Sequence, residues 1–155
     1  MELQLSDEQQ AFVETTRKFL AAECSIPTVR ALELELAGFD ADVWKRGAAL
    51  GWTSLLVDEA HGGGSLSEHG LADLVLVAEE FGRTVAPGPL HPVSVVLAGL
   101  VEAPEGHQDT IDALVSGELV GSWAVYEPGR PSAPTQATTI ATGRLAEPSP
   151  AKDTA

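Results

Sequence analysis

The sequence predicts a mainly α protein, a helical bundle of about six helices followed by a short β segment and a poorly ordered tail. Three observations carry this. Apolar residues recur at three- and four-residue steps through residues 6–116, the repeat that gathers them on one helical face. Capping residues stand before these runs, and glycine or proline stands after them. From Glu118 the composition turns first to β-formers and then to Pro, Ala, Ser and Thr.

Ser6 followed by Gln9 has the spacing of a capping box, in which each side chain satisfies a backbone N–H that the first turn leaves unpaired. Phe12, Val13, Thr16, Phe19 and Leu20 then share one face, so a first helix is expected over residues 6–24, stopped or restarted at Pro27. A second helix is expected from Thr28 to Ala37, ended by Gly38. Asp40 caps a third, which buries Val43, Trp44 and Leu50 and ends at Gly51. Trp52 to Val57 reads as an extended connector. After the glycine run, Ser65 with Glu68 repeats the capping spacing, and Leu71, Leu74, Val75, Ala78 and Phe81 form the buried stripe of a fourth helix.

Pro87, Pro89 and Pro92 punctuate the next connection, with Pro92 expected at the first position of a fifth helix, where a missing N–H costs little. Val93 to Val101 is apolar nearly all round, which implies burial on more than one side. His107 to Ser116 gives the sixth helix, ended by Gly117. Leu119 to Tyr126 reads as a strand or extended segment. The expected division is a helical domain at 1–118, a β start at 119–130 and the tail at 131–155.

The chain of 155 residues, 44% apolar, can build one domain with a real core. A formal charge of -14, with nine scattered Lys and Arg, argues against nucleic acid as a partner. It does not argue against a small phosphorylated ligand, because a local arginine outweighs the mean field at short range. The single cysteine, Cys24, forms no intrachain disulfide and reads as a small core residue. The polar, acidic opening is unlike a signal peptide, and Pro92 to Val101 is too short to span roughly 30 Å of hydrocarbon. A soluble, cytoplasmic protein without a membrane span is expected.

Several residue groups invite a chemical reading. His61-Gly62-Gly63-Gly64 has the look of an esterase oxyanion loop, but no Gly-x-Ser-x-Gly nucleophile elbow accompanies it. The same glycines could cradle a phosphate ahead of a helix, yet neither phosphate-binding glycine motif is present, and a tight joint between helices explains them better. His61, His69, His91 and His107 match no metal-ligand spacing. Glu79 and Glu80 are adjacent on a helix and so point about 100° apart; one solvated carboxylate beside one that bonds Arg83 accounts for them.

Taken in order, these segments resemble the acyl-CoA dehydrogenases. The resemblance runs from Ser6-Asp7-Glu8-Gln9 through Trp44, Leu50-Gly51-Trp52, the Glu59-to-Gly64 joint and Glu79-Glu80-Phe81-Gly82-Arg83. It continues through Ala86-Pro87-Gly88-Pro89, Ser116-Gly117-Glu118-Leu119 and Ala124-Val125-Tyr126-Glu127-Pro128, covering residues 3–128. It implies a flavoenzyme whose N-terminal helical domain precedes a β-domain and a C-terminal helical bundle, and which uses FAD to desaturate acyl-CoA thioesters between the α and β carbons.

Carried over residue by residue, the resemblance makes Trp123, Val125 and Tyr126 the cofactor-binding candidates and Ser132 a substrate contact. Tyr126 stands where a threonine or serine is usual, and Pro131-Ser132-Ala133 replaces the family's Gly-Ser-Asp. Val93 to Val101 matches a helix that helps wall the acyl pocket. No glutamate here matches the catalytic base, and the bundle that carries it has no counterpart, so no catalytic residue and no metal ligand is assigned. The expectation is a truncated chain or one part of a split or heteromeric enzyme, retaining FAD poorly alone and partnered by a related subunit or by copies of itself. The alternatives are a non-catalytic helical module that docks on a full-length relative and, more remotely, an esterase using His61 to Gly64.

Overall fold

The first helix, α1 (Asp7–Glu23), opens on the reciprocal cap that Ser6 and Gln9 predict: the Gln9 N–H donates to Ser6 Oγ at 3.1 Å and the Ser6 N–H to Gln9 Oε1 at 3.0 Å. The computed structural model describes residues 4–103 and 106–124. The chain divides after Trp123, and the description below concerns the unit that ends there. Among the described residues the secondary structure is helical, as the apolar periodicity predicts.

Helix α2 (Ile26–Leu32) corrects the expected span of Thr28 to Ala37. Pro27 lies within its first turn, where the absent N–H has no intrahelical partner to lose, and Ser25 accepts from the Thr28 N–H as N-cap. The residues beyond Leu32 turn rather than continue, leaving Leu34 and Leu36 on the surface. Helix α3 (Ala41–Ala49) begins as expected, with Asp40 accepting from the N–H groups of Asp42 and Val43. Gly51, at φ 102°, takes the left-handed turn that stops it.

Trp52 to Val57 is a succession of turns, not the extended connector expected. The change of shape brings Trp52 into the core at 1% exposure. Its indole meets Phe19 edge to face at 5.3 Å and Phe81 at 4.9 Å, while Nε1–H donates to Thr16 Oγ1 at 3.0 Å. Gly47 on α3 makes the remaining room, since a Cβ there would fall 1.9 Å from a ring carbon. Three helices thus close on one ring.

Helix α4 runs Gly70–Thr84, so the Ser65/Glu68 capping box is not formed. Glu68 sits at φ 59°, outside any helical turn, and His69 caps without a side-chain hydrogen bond. The buried face is also rotated from the expected one. Asp73, Val77, Glu80 and Phe81 point inward, while Leu71 and Val75 are 68% and 58% exposed. The cause is α1, on which α4 mainly packs, because α1 offers polar partners at that contact.

Asp73 is fully buried and saturated. Gln9 Nε2 and Ser67 Oγ donate to Oδ1 at 2.7 and 2.9 Å, and the N–H groups of Leu66 and Ser67 donate to Oδ2 at 2.8 and 3.1 Å. Burial pushes its pKa up, but these four donors together outweigh it and hold the carboxyl below its usual value. One carboxylate therefore ties α1, the loop before α4 and α4 itself.

Helix α5 (Leu90–Val101) starts two residues earlier than expected, so Pro92 is its third residue, still within the turn whose N–H groups lack intrahelical partners. Val93 and Leu97 are sealed in the core, with half-buried Val95, Val96 and Leu100 around them, as the all-round apolarity implies. Helix α6 (Gln108–Val115) packs on α5 and ends before Gly117 at φ 74°. Cys24 is buried, and burial raises its thiol pKa. That environment suits core packing better than reactivity.

Candidate functional site

The glycine joint is a closed piece of structure. Asp58 caps a single 3-10 turn, Glu59–His61, by accepting from the His61 N–H at 2.9 Å, and it also bonds His61 Nδ1 at 2.6 Å. The hydrogen bond to His61 holds the Asp58 carboxyl below its usual range. The Gly62 N–H donates to Glu59 O at 3.2 Å, Gly63 to Asp58 O at 2.9 Å and Gly64 to Ser54 O at 3.2 Å. All three N–H groups are spent inside the protein, so they do not form an oxyanion hole for an esterase.

The phosphate reading fails for two further reasons. The run is separated from the start of α4 at Gly70, and the groove beside it is rimmed by Asp58, Glu59 and Glu68. Carboxylates around an open groove repel a phosphate. What the glycines supply is conformation and close approach: Gly62 sits at φ 83°, and a Cβ on Gly63 would fall 2.3 Å from Val57 O. Replacing Gly63 with alanine should cost about 2 kcal/mol of stability in urea unfolding, by forcing the joint apart. Ester hydrolysis should be absent before and after the change.

The paired carboxylates are structural as well. Glu79 bonds exposed Arg83 one turn on. Glu80, with a side chain 3% exposed, receives Arg17 as a two-pronged partner, Nη2 to Oε1 at 2.8 Å and Nε to Oε2 at 3.0 Å, with Arg83 Nε at 3.3 Å. The Arg17 hydrogen bond, ahead of the opposing desolvation, lowers the Glu80 pKa. A carboxylate held ionised with both oxygens occupied is a poor proton acceptor. Sequence spacing found the Arg83 contact but missed Arg17, which is 63 residues away. No cluster of metal-ligating side chains occurs among the described residues, and no helix there is long and apolar enough to cross a membrane.

The remaining candidate surface is built by α5 and the segment after α6. Thr53 Oγ1 donates to Val115 O at 2.6 Å, and the Leu119 N–H donates to Ala113 O at 2.9 Å, which fixes where the chain leaves α6. Leu119 to Ala124 has no regular secondary structure. Gly121 and Trp123 nevertheless lie on α5: a Cβ on Gly121 would meet Val96 at 3.2 Å and Leu114 at 3.3 Å, and one on Gly99 would meet the Trp123 ring at 3.8 Å. Trp123 is 57% exposed, and Leu119 and Val120 are also on the surface. Of the candidates taken from sequence, Trp123 stands at this surface; Val125, Tyr126 and Ser132 lie outside the described residues.

An exposed indole beside an apolar helix fits one face or edge of a flat aromatic group. Among the described residues, the exposed Trp123 ring has α5 behind it. Trp123 and its neighbours on α5 are uncharged.

The model of the family described as "Acyl-CoA dehydrogenase, N-terminal domain" matches residues 6–110. Acyl-CoA dehydrogenase IpdE2 of Mycolicibacterium smegmatis is 29% identical over 126 residues, covering 80% of this chain and 38% of the relative. The protein of the same name from Mycobacterium tuberculosis is 26% identical over 117 residues, covering 75% of this chain and 36% of the relative. The solved structure "Tcur3481-Tcur3483 steroid ACAD G363A variant" superposes with a TM-score of 0.69 at 28% identity, over 79% of this chain and 34% of that one. The chain thus spans little more than a third of the length of these relatives.

Proposed function

Because this chain belongs to the acyl-CoA dehydrogenase family through its N-terminal domain, we propose that it contributes the helical wall and the flavin-edge segment of an enzyme that desaturates acyl-CoA thioesters. The observation that carries the reading is the shared fold at 28% identity over 79% of the chain. Residues 1–118 are the helical domain, 119–130 open the β-domain, and 131–155 follow it. A bound FAD would supply the acceptor for the hydride of the β carbon. Trp123, Val125 and Tyr126 would hold the flavin side of the site, and Ser132 would touch the substrate.

The chain's own part in the reaction is to bind, orient and exclude water. Helix α5 presents apolar surface against which an acyl chain gains by leaving water. The described carboxylates with lowered pKa are engaged in structural pairs or caps, so the base that takes the α proton comes from residues outside this set. We place it on the remainder of the enzyme, carried by the same polypeptide or by a partner subunit. The paired designation of the superposed steroid ACAD supports an assembly of two polypeptides.

A second reading, a docking module without chemistry, is favoured by Leu71, Val75 and Val85, apolar side chains left 68%, 58% and 64% exposed on and just after α4. Co-purification of the chain with a full-length relative separates the two. Assembly as an enzyme predicts flavin absorbance and acyl-CoA oxidation that disappear when this chain is omitted. Tight association with activity unchanged by omission would favour the module. Flavin retained by the chain alone would overturn the shared-site proposal.

A further inference from the structure

Resting on the reading that Trp123 meets the flavin, we propose that Gly99 is a positioning residue, a bare spot on α5 that seats the Trp123 indole and sets its orientation. Glycine within a helix is disfavoured relative to alanine because it has more backbone freedom to lose. Gly99 is exposed, so the core does not exclude a side chain there. Beyond its chain neighbours and the backbone of α5 itself, the described atom that a Cβ at Gly99 would meet within 4 Å is a ring carbon of Trp123, at 3.8 Å. A methyl fits at that distance. A longer or branched side chain would enter the volume the ring occupies.

Gly121 completes the seat from the other side. Its missing side chain lets the backbone two residues before Trp123 close on Val96 and Leu114, where a Cβ would be only 3.2 and 3.3 Å away. Gly121 therefore fixes the approach of the chain, and Gly99 leaves room for the ring at its end. The core uses the same device, with Gly47 making room for Trp52. The outer seat differs in leaving one side of its indole open to a ligand.

The experiment uses acrylamide quenching of tryptophan fluorescence in the full chain and FAD titration of the complete enzyme. Trp44 and Trp52 are 3% and 1% exposed, so quenching reports mainly Trp123, and Trp123→Phe identifies its share. Gly99→Leu should raise the quenching constant, leave the melting temperature near its original value and weaken FAD binding on the order of tenfold. Gly99→Ala should restore both readouts, which a general loss of packing would not do. Should Gly99→Leu fold poorly, Gly99→Val provides the same test with a smaller side chain. Unchanged quenching in the folded variant would overturn the seat. Raised quenching with unchanged FAD affinity would keep the seat but overturn its role in positioning a flavin contact, and with it that part of the proposed function.

Discussion

Asp73→Ala is expected to destabilise the helical domain by about 4 kcal/mol, a large share of the roughly 5–15 kcal/mol that holds most domains folded. The loss comes from the donors left behind. The Leu66 and Ser67 N–H groups, the Ser67 hydroxyl and the Gln9 amide all lose their acceptor around a fully buried position. Equilibrium unfolding in urea measures the cost, and a change below about 1 kcal/mol would contradict the clamp. The pH dependence follows from the same carboxylate. Its folded-state pKa lies below the unfolded value, so its contribution is complete above about pH 4 and is lost as pH falls through the folded value. Glu80 has the same sign. Asp73→Asn should therefore flatten the acid limb of the stability profile without altering its neutral plateau in shape.

The second large effect is expected at Trp52. Trp52→Ala should cost about 4 kcal/mol, because the hole lies between α1, α3 and α4 and no one helix can move to fill it. Two edge-to-face contacts with Phe19 and Phe81 disappear together with the apolar burial. Trp52→Phe should recover more than half of the loss, yet not all of it, since Thr16 Oγ1 would still lose the indole donor at 3.0 Å. Chemical denaturation of the two variants side by side measures both. Equal stability of alanine and phenylalanine at this position would show that ring packing is not what holds the three helices.

Local signals in the sequence locate helix ends well. Ser6 with Gln9, Asp40 and the left-handed glycines at 51 and 117 act where their chemistry predicts. The face of α4 is harder to read, because counting apolar residues selects Leu71 and Val75 over Asp73 and Glu80. The inward carboxylates make sense only once Gln9 and Arg17 are known to face them, and those partners lie 64 and 63 residues away. Pairing over that distance leaves no local periodicity. The same limit explains Trp52, whose burial depends on Thr16 and Gly47 and not on the turns that carry it.

The candidate site divides along similar lines. The family resemblance picks out Trp123 from its place in a motif, and the structure puts it on the surface of α5. Neither spacing nor composition identifies Gly99 beneath it, because a lone glycine in an apolar helix carries no sign of what it faces. The glycine run gives the opposite lesson. It is the most conspicuous motif in the chain, yet its N–H groups are all used internally.

The long reach of the contacts between α1 and α4 also has a bearing on how the chain is made. At a synthesis rate of roughly 5–20 residues per second, the partners of Gln9 and Arg17 are added about 3 to 13 seconds after them. During that interval α1 is an amphipathic helix without its cognate surface, and the cap at Ser6 is what favours its local order. Translation speed through the stretch from α1 to the end of α4, rather than the intrinsic rate of helix formation, then sets how long α1 is open to chaperones and to misassociation.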